Sequence, residues 1–223
     1  MTQYIFVTGG VISGLGKGVT AASIGSILQM MGITRITIKK LDPYLNVDPG
    51  NISPISHGEV FVLADGVETD LDLGYYERFL NIEMNKDNST SSGKLFQKLI
   101  EDERQGKYLG QTVQMIPHFT NMIKLFITRD AAKYDIIICE IGGSVGDIES
   151  IAFFEALRQL RNDIGHTDVL FVHLTYLLYY PITKELKTKP TQTAIRGLQQ
   201  LGITPDILIC RTEHQVTKAI KEK

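Results

Sequence analysis

Apolar and polar positions alternate along this chain in two rhythms. Five short apolar runs rich in β-branched residues, at 4–8, 34–39, 136–141, 168–174 and 206–210, predict buried strands. Between several of them apolar positions recur at helical spacing, over 18–31, 117–128, 148–162 and 191–201. Two of these helical segments run into the same formula, QMMGITRITI and QQLGITPDILI, in which a glycine caps the helix and a strand follows at once. Strand-helix-strand alternation with such short connections predicts an α/β fold, a mostly parallel sheet with helices on both faces. Ligands of such sheets bind beyond the carboxyl ends of the strands.

Residues 42–110 break the alternation with a long polar insertion, which in a compact domain is usually functional or mobile. Within it, NKDNSTSSG reads as a plain connection between helices, without chemistry.

The first strand, Tyr4 to Thr8, runs into GGVISGLGKG at residues 9–18 and then into a helix from Gly18 to Met31, with Gly32 as its cap. A glycine turn feeding a helix N-terminus collects anions, because unpaired N–H groups and the positive end of the helix dipole both point there. The standard phosphate loop is G-x-x-x-x-G-K-[ST]. Here its first glycine is replaced by Val11, with Gly10 one place earlier, and Gly18 stands where the magnesium-binding Ser/Thr belongs. The loop is a variant, yet Lys17 has no structural reason to sit in such a turn.

Carboxylates near strand ends offer the missing metal oxygens. Glu140 closes the run Ile136–Cys139, and Asp70 and Asp72 flank Leu71, a spacing that in an extended chain turns both to one side. Each could instead be solvated surface; together they suit Mg²⁺, which binds nucleotide phosphates through one or two carboxylates plus water. Lys39 and Lys40 close the second strand, and Lys40 would lie beside Lys17 if the first two strands were neighbours. Lys187 and Lys189 precede Pro190 at another helix start, a second place for an anion. The turn from Gly142 to Glu149 also opens a helix; its Asp147 and Glu149 either complement the helix dipole or bind ligand hydroxyl or amino groups. His57 and His118 adjoin loops and His173 reads as core, with no Ser-His-Asp, Cys-His or zinc-type spacing.

A net charge of −2 provides no general basic field, so bulk nucleic acid and acidic membrane are poor partners. The longest apolar segment, 169–180, is too short to span a bilayer. Cys139 and Cys210 lie in apolar runs and read as buried core thiols. The N-terminus enters a strand without a charged leader, and the expected location is the cytoplasm.

FVTGGVISGLGKG, KKLDPYLNVDPG, SPISHGEVFVLADGVETDLDLGYYERF, EIGGSVGDIES and KTKPTQ, in that order, together resemble the amidoligase (synthetase) domain of the CTP synthase family over essentially the whole chain. The resemblance implies a P-loop NTPase-like fold similar to dethiobiotin synthetase, and a ligase that forms a C–N bond. ATP would phosphorylate O4 of UTP, and ammonia would displace phosphate to give CTP. By motif, Ser13, Gly14, Leu15, Gly16, Lys17 and Gly18 would hold the ATP phosphates, with Lys40 a second contact. Asp72 and Glu140 would hold Mg²⁺, with Asp70 nearby. Ser13, Asp147, Ile148, Glu149, Lys187, Lys189, Gln192 and Lys223 would contact the pyrimidine nucleotide, some of them across a subunit interface of a homotetramer. CTP would share the triphosphate contacts as product inhibitor. In the family a longer synthetase domain is followed by a glutaminase domain that supplies ammonia; here the chain stops at Lys223 in KAIKEK, so ammonia would come from solution or another chain. Residues 176–184, YLLYYPITK, differ from the VPY-containing stretch of the family. Two other readings compete: a nucleotide-binding assembly module without turnover, and a P-loop ATPase with a different acceptor.

Overall fold

The computed structural model describes residues 2–223, with the side chains of Ser56 and of His57, a histidine singled out above, outside the described part. From the N-terminus, β1 (Gln3–Gly9), α1 (Lys17–Met30) and β2 (Ile36–Asp42) form the first strand-helix-strand unit. The insertion then adds α2 (Pro54–His57), the β3–β4 hairpin (Val60–Val62, Glu68–Asp70) and α3 (Asp72–Leu80). Next come β5 (Ser89–Ser91), α4 (Ser92–Arg104), α5 (Thr120–Thr128), β6 (Ile136–Ile141), α6 (Ile151–Ile164) and β7 (Val169–Tyr176). A small hairpin, β8 (Leu178–Tyr180) and β9 (Glu185–Lys187), precedes α7 (Lys189–Gln200), β10 (Ile207–Arg211) and α8 (Lys218–Lys221).

Six strands form one parallel sheet in the order β10-β7-β1-β6-β2-β5. β6 is buried along its whole length because helices cover both faces, which is why its sequence reads as a continuous apolar run. On one face Ala21 and Ala22 of α1 pack with Leu73, Tyr76 and Leu80 of α3. On the other, Ile123, Phe153, Phe154, Leu157 and Leu198 of α5, α6 and α7 close a second core. Among the described residues no helix is long and apolar enough to cross a membrane.

Three expectations need correction. β1 and β2 are not neighbours, since β6 lies between them. NKDNSTSSG contains β5, which pairs with Lys40, Leu41 and Asp42 and so extends β2 beyond its predicted end. Three polar residues gave no apolar signal; their strand is held at the sheet edge by pairing on one side and by Asn88, whose Nδ2 donates to Thr37 Oγ1 (2.8 Å) and Ile38 O (2.9 Å). Ser91 then caps α4 by accepting from the Lys94 N–H. The helix read from 117 is in place: a π-helical turn over Met115–Phe119, with a cis Ile116–Pro117 bond and Ile116 as its one non-helical residue, runs directly into α5. Finally, Cys139 is buried as expected but Cys210 is exposed, because it lies on the edge strand β10.

Candidate active site

The glycine loop leaves the carboxyl end of β1, in the middle of the sheet. Among the described residues, no backbone N–H from Val11 to Val19 donates a hydrogen bond within the protein. Nine consecutive donors around a helix N-terminus, with Gly14 and Gly16 at positive φ to turn the chain, form an anion cradle. Val11 also has φ +83°, an uncommon conformation for a β-branched residue. The cradle is held at its rim. Gly10 N donates to Leu174 O (3.1 Å), Val145 N donates to Gly9 O (2.9 Å), and the Arg211 guanidinium donates to Leu15 O. Lys17 folds back over Gly9, where a Cβ would meet its Cδ at 2.8 Å, and its Nζ donates to Gly143 O at 2.8 Å. Burial lowers the Lys17 pKa, against the opposing pull of Glu140.

Beside the cradle stands a buried charge cluster. Lys40 and Glu140 are register partners on β2 and β6, and Lys40 Nζ lies 3.1 Å from Glu140 Oε1, 2.5 Å from Asp72, 3.6 Å from Asp70 and 3.7 Å from Asp42. The Tyr76 hydroxyl donates to Glu140 Oε2. Burial alone would lower the Lys40 pKa, but Glu140, Asp42 and Asp72 overcome it and hold the group well above its usual value. Burial raises Glu140, with Lys40 opposing, and pushes the Asp42 carboxyl up to about 7. Asp42 Oδ2 is buried and has no hydrogen-bond partner among the described residues.

The sequence placed Asp70 and Asp72 in one extended stretch. In fact Asp70 ends β4 and Asp72 opens α3, yet both carboxylates reach the Lys40 ammonium. Lys40 and Lys17 do come together, although their strands are not adjacent, and both ammonium charges act on Glu140. The missing Ser/Thr of the loop has a local cause. A Cβ on Gly18 would lie 2.1 Å from Asp72 Oδ1 and 3.3 Å from Glu140 Oε2, so two carboxylate oxygens converge where a hydroxyl-bearing side chain would be. Among the described residues no three His, Cys, Asp or Glu side chains form a ready-made metal cage; the Lys40 ammonium stands amid the carboxylates instead.

The remaining candidates lie in two other places. Asp147 Oδ2 accepts from Ser144 N (2.7 Å), which fixes its own turn, while Ile148 and Glu149 line a cavity of about 510 Å³ with Pro43, Leu45, Met115 and Ile116. Gln192 and Lys223 share another cavity, of about 380 Å³, between α7 and β10. Lys187, at the end of β9, is tied to Glu185, and Lys189 opens α7. Helix α7 packs against the cradle, with Ala194 Cβ 2.7 Å from where a Cβ of Gly10 would lie. Sequence reasoning missed Asp42, Tyr76 and Arg211. Two of them carried a signal: Asp42 lies two places after Lys40 on a strand, and Tyr76 four places after Asp72 on a helix, each spacing sharing one face.

A parallel doubly wound sheet, with a glycine anion cradle and a lysine-carboxylate cluster at the carboxyl ends of β1, β2 and β6, defines a phosphate-loop type of α/β protein. More particularly, the chain belongs to the family described as CTP synthase N-terminus, whose profile matches residues 3–223. It is 56% identical over 220 residues to the CTP synthase of Wigglesworthia glossinidia brevipalpis, covering 99% of this chain and 40% of that protein. To the CTP synthase of Staphylococcus haemolyticus it is 53% identical over 225 residues, covering 100% and 42%. The chain thus spans about two fifths of the length of these curated relatives. The kinase domain of Escherichia coli tyrosine kinase ETK aligns with 97% of this chain and 71% of its own, at 11% identity and a TM-score of 0.44, a likeness too loose to bear on function.

Proposed function

We propose that this chain is the synthetase part of an enzyme that converts UTP to CTP at the expense of ATP. The observation that carries the reading is the run of free N–H groups from Val11 to Val19 opening onto Lys17, Lys40, Asp72 and Glu140. The N–H groups of Ser13 to Gly18 hold the ATP phosphates, and Lys17 exchanges the Gly143 carbonyl for phosphate oxygens. Lys40 supplies a second positive charge at the transferring phosphoryl group, where positioning and electrostatics are the main catalytic task. The donor set fits Mg²⁺: Asp72 and Glu140 converge hard oxygens beside the cradle, and Asp42 Oδ2 has no hydrogen-bond partner among the described residues. Asp72 and Glu140 would hold the ion, with Asp70 nearby, and the ion would neutralise phosphate charge.

The chemistry follows from the poor leaving ability of a ring carbonyl oxygen. O4 of the uracil attacks the γ-phosphorus and ADP leaves; ammonia then adds at C4, loses a proton, and phosphate departs with the original oxygen. Lys17 and Lys40 stabilise the charge on the phosphoryl oxygens in the first step.

The pyrimidine contacts assigned to Ser13, Asp147, Ile148, Glu149, Lys187, Lys189, Gln192 and Lys223 belong to a homotetramer, in which the start of α7 from one subunit meets the cradle of another. Exposed Leu45, Met115, Ile116, Ile148 and Ile151 around the 147–149 turn support an apolar contact there. CTP inhibits by occupying the same triphosphate contacts, and in the longer relatives a glutaminase part supplies the ammonia. The setting is the cytoplasm.

The deciding experiment measures CTP formed from UTP, ATP and Mg²⁺ with ammonium chloride or with glutamine, at a pH that provides free NH₃. CTP from ammonia but not from glutamine, abolished by Lys17→Ala, is the expected result. Saturable binding of both nucleotides without CTP would leave a nucleotide-binding assembly module, and ATP consumption independent of UTP would mean another acceptor.

A further inference from the structure

A cavity of about 600 Å³ lies at the β5 edge of the sheet, between α4 and α5, away from the glycine loop. That volume is within the range of small-molecule sites. Its charged lining is one-sided: Lys86, Lys94, Lys98, Lys107 and Arg129 against Asp87 and Asp102. Both carboxylates are already committed, since Asp102 accepts from Lys98 (2.6 Å) and Lys107 (2.8 Å), and Asp87 from Arg129 (2.7 Å). Lys94 pairs with Asp48 outside the cavity lining, and the Lys86 ammonium has no partner among the described residues. His118 adds another donor. Its Nδ1 accepts from Gln114 N (3.0 Å), which places the ring proton on Nε2, and its ring stands edge-on to Tyr108. The rest of the wall is apolar, from Leu95, Met122, Leu125 and Phe126. In a chain whose net charge is −2, five cations around one hollow are a local feature rather than part of a basic surface.

The wall is tied to the candidate active site through one strand. Side chains on β2 alternate in direction, so Lys40 enters the carboxylate cluster while Lys39 points to the opposite face. There Lys39 Nζ donates to Phe126 O (2.7 Å) and Arg129 O (3.0 Å), fixing the end of α5 where Phe126 and Arg129 line the cavity.

We propose that this cavity is a second anion site, which takes a small phosphate-bearing ligand with a planar apolar part. The committed carboxylates leave a surplus of donors for the phosphate, and the Leu95–Phe126 wall accepts the ring. The proposal stands whether or not the chain forms CTP.

The test is calorimetric titration of the chain at low salt, without Mg²⁺, using phenyl phosphate and inorganic phosphate as probes. Every measurement is made on Lys17→Ala, which removes the lysine of the glycine loop. Saturable binding in that background is expected, tighter for phenyl phosphate, and weakened about fivefold or more by adding Lys86→Ala with Lys107→Gln. Asp102 keeps Lys98 in this variant, so an unchanged melting temperature verifies the fold. Should that variant lose stability, Lys86→Ala alone, which breaks no ion pair, must still weaken binding. Absence of saturable binding in the Lys17→Ala background would overturn the proposal. Equal affinity for the two probes, or no effect of removing the lysines, would overturn it as well.

Discussion

Replacing Gly18 by alanine tests the metal reading of the site with little disturbance of the fold. The added methyl carbon would meet Asp72 Oδ1 at 2.1 Å, whereas ordinary contact begins at 3.4 Å, so the carboxylate must recede by more than about 1 Å. Asp72 has room to do so, because its side chain is 24% exposed. Two effects on stability then oppose each other. Alanine in the first turn of α1 favours the helix by about 0.5–1 kcal/mol over glycine, while lengthening the contact between Lys40 and the partly exposed Asp72 carboxylate, which meets water as it recedes, costs about 0.2–1 kcal/mol. The melting temperature should therefore hardly move. Binding of MgATP should fall by about 10- to 100-fold, the usual effect of displacing a group that orients a metal or a reacting phosphate by that distance. That is about 1.4–2.7 kcal/mol of binding free energy. Calorimetric titrations with ATP in Mg²⁺ and with ATP in EDTA separate the causes. Loss confined to the Mg²⁺ titration is expected; undiminished MgATP affinity, or an equal loss without the ion, would refute the reasoning.

Lys40→Met leaves Glu140 and Asp42 buried without their counter-charge, which should cost about 3–5 kcal/mol at pH 8. The carboxyls can then take up protons, so urea midpoints should recover toward wild type at pH 5; an equal loss at both pH values would contradict this. Lys39→Met strands the buried carbonyl of Phe126 and the partly buried one of Arg129 and should lower stability by about 1–3 kcal/mol, while ATP affinity at the glycine loop, read by calorimetry, stays unchanged. Burial holds Asp42 near 7, above the unfolded value of 3.8, so its favourable contribution is complete below about pH 4 and disappears as pH rises through 7. Burial shifts Glu140 in the same direction. Asp42→Asn should therefore flatten the decline in urea midpoint between pH 4 and 8, and an unaltered slope would count against the assignment.

The strands that were legible in the sequence are those buried on both faces. β1, β6 and β7 carry continuous apolar runs, and helices on either side demand them. β5 was illegible for the opposite reason. It is three polar residues long, it pairs with the backbone of β2, and the side chain of Asn88 just before it also bonds to β2; neither leaves a periodicity. The order of strands was equally hidden, because β6 inserts between β1 and β2 from more than ninety residues further along the chain, and no local pattern records that pairing. At the site, Lys17, Lys40, Asp72 and Glu140 stood out as charges beside apolar strands and glycine turns. Arg211 did not, since an arginine at the end of an edge strand looks like surface until its guanidinium is found against Leu15 O.

Two irregularities of the sequence have one structural cause. The loop departs from the standard spelling at Gly18, and the strand-helix alternation fails over residues 42–110. The insertion delivers α3, whose first residue is Asp72 and whose Tyr76 hydroxyl reaches Glu140, to the face of the sheet covered by α1. In the standard loop the helix itself provides an oxygen ligand from its second residue. Here the second residue of α1 is Gly18, and the Asp72 oxygen stands 2.1 Å from where its Cβ would be. Glycine is thus required by the close approach of a carboxylate from another element. A Ser or Thr in its place would collide with the group that takes over its role. The loop's departure and the insertion's carboxylate form a single arrangement, in which a charged oxygen from α3 replaces a neutral one from α1 and the Lys40 ammonium offsets the added negative charge.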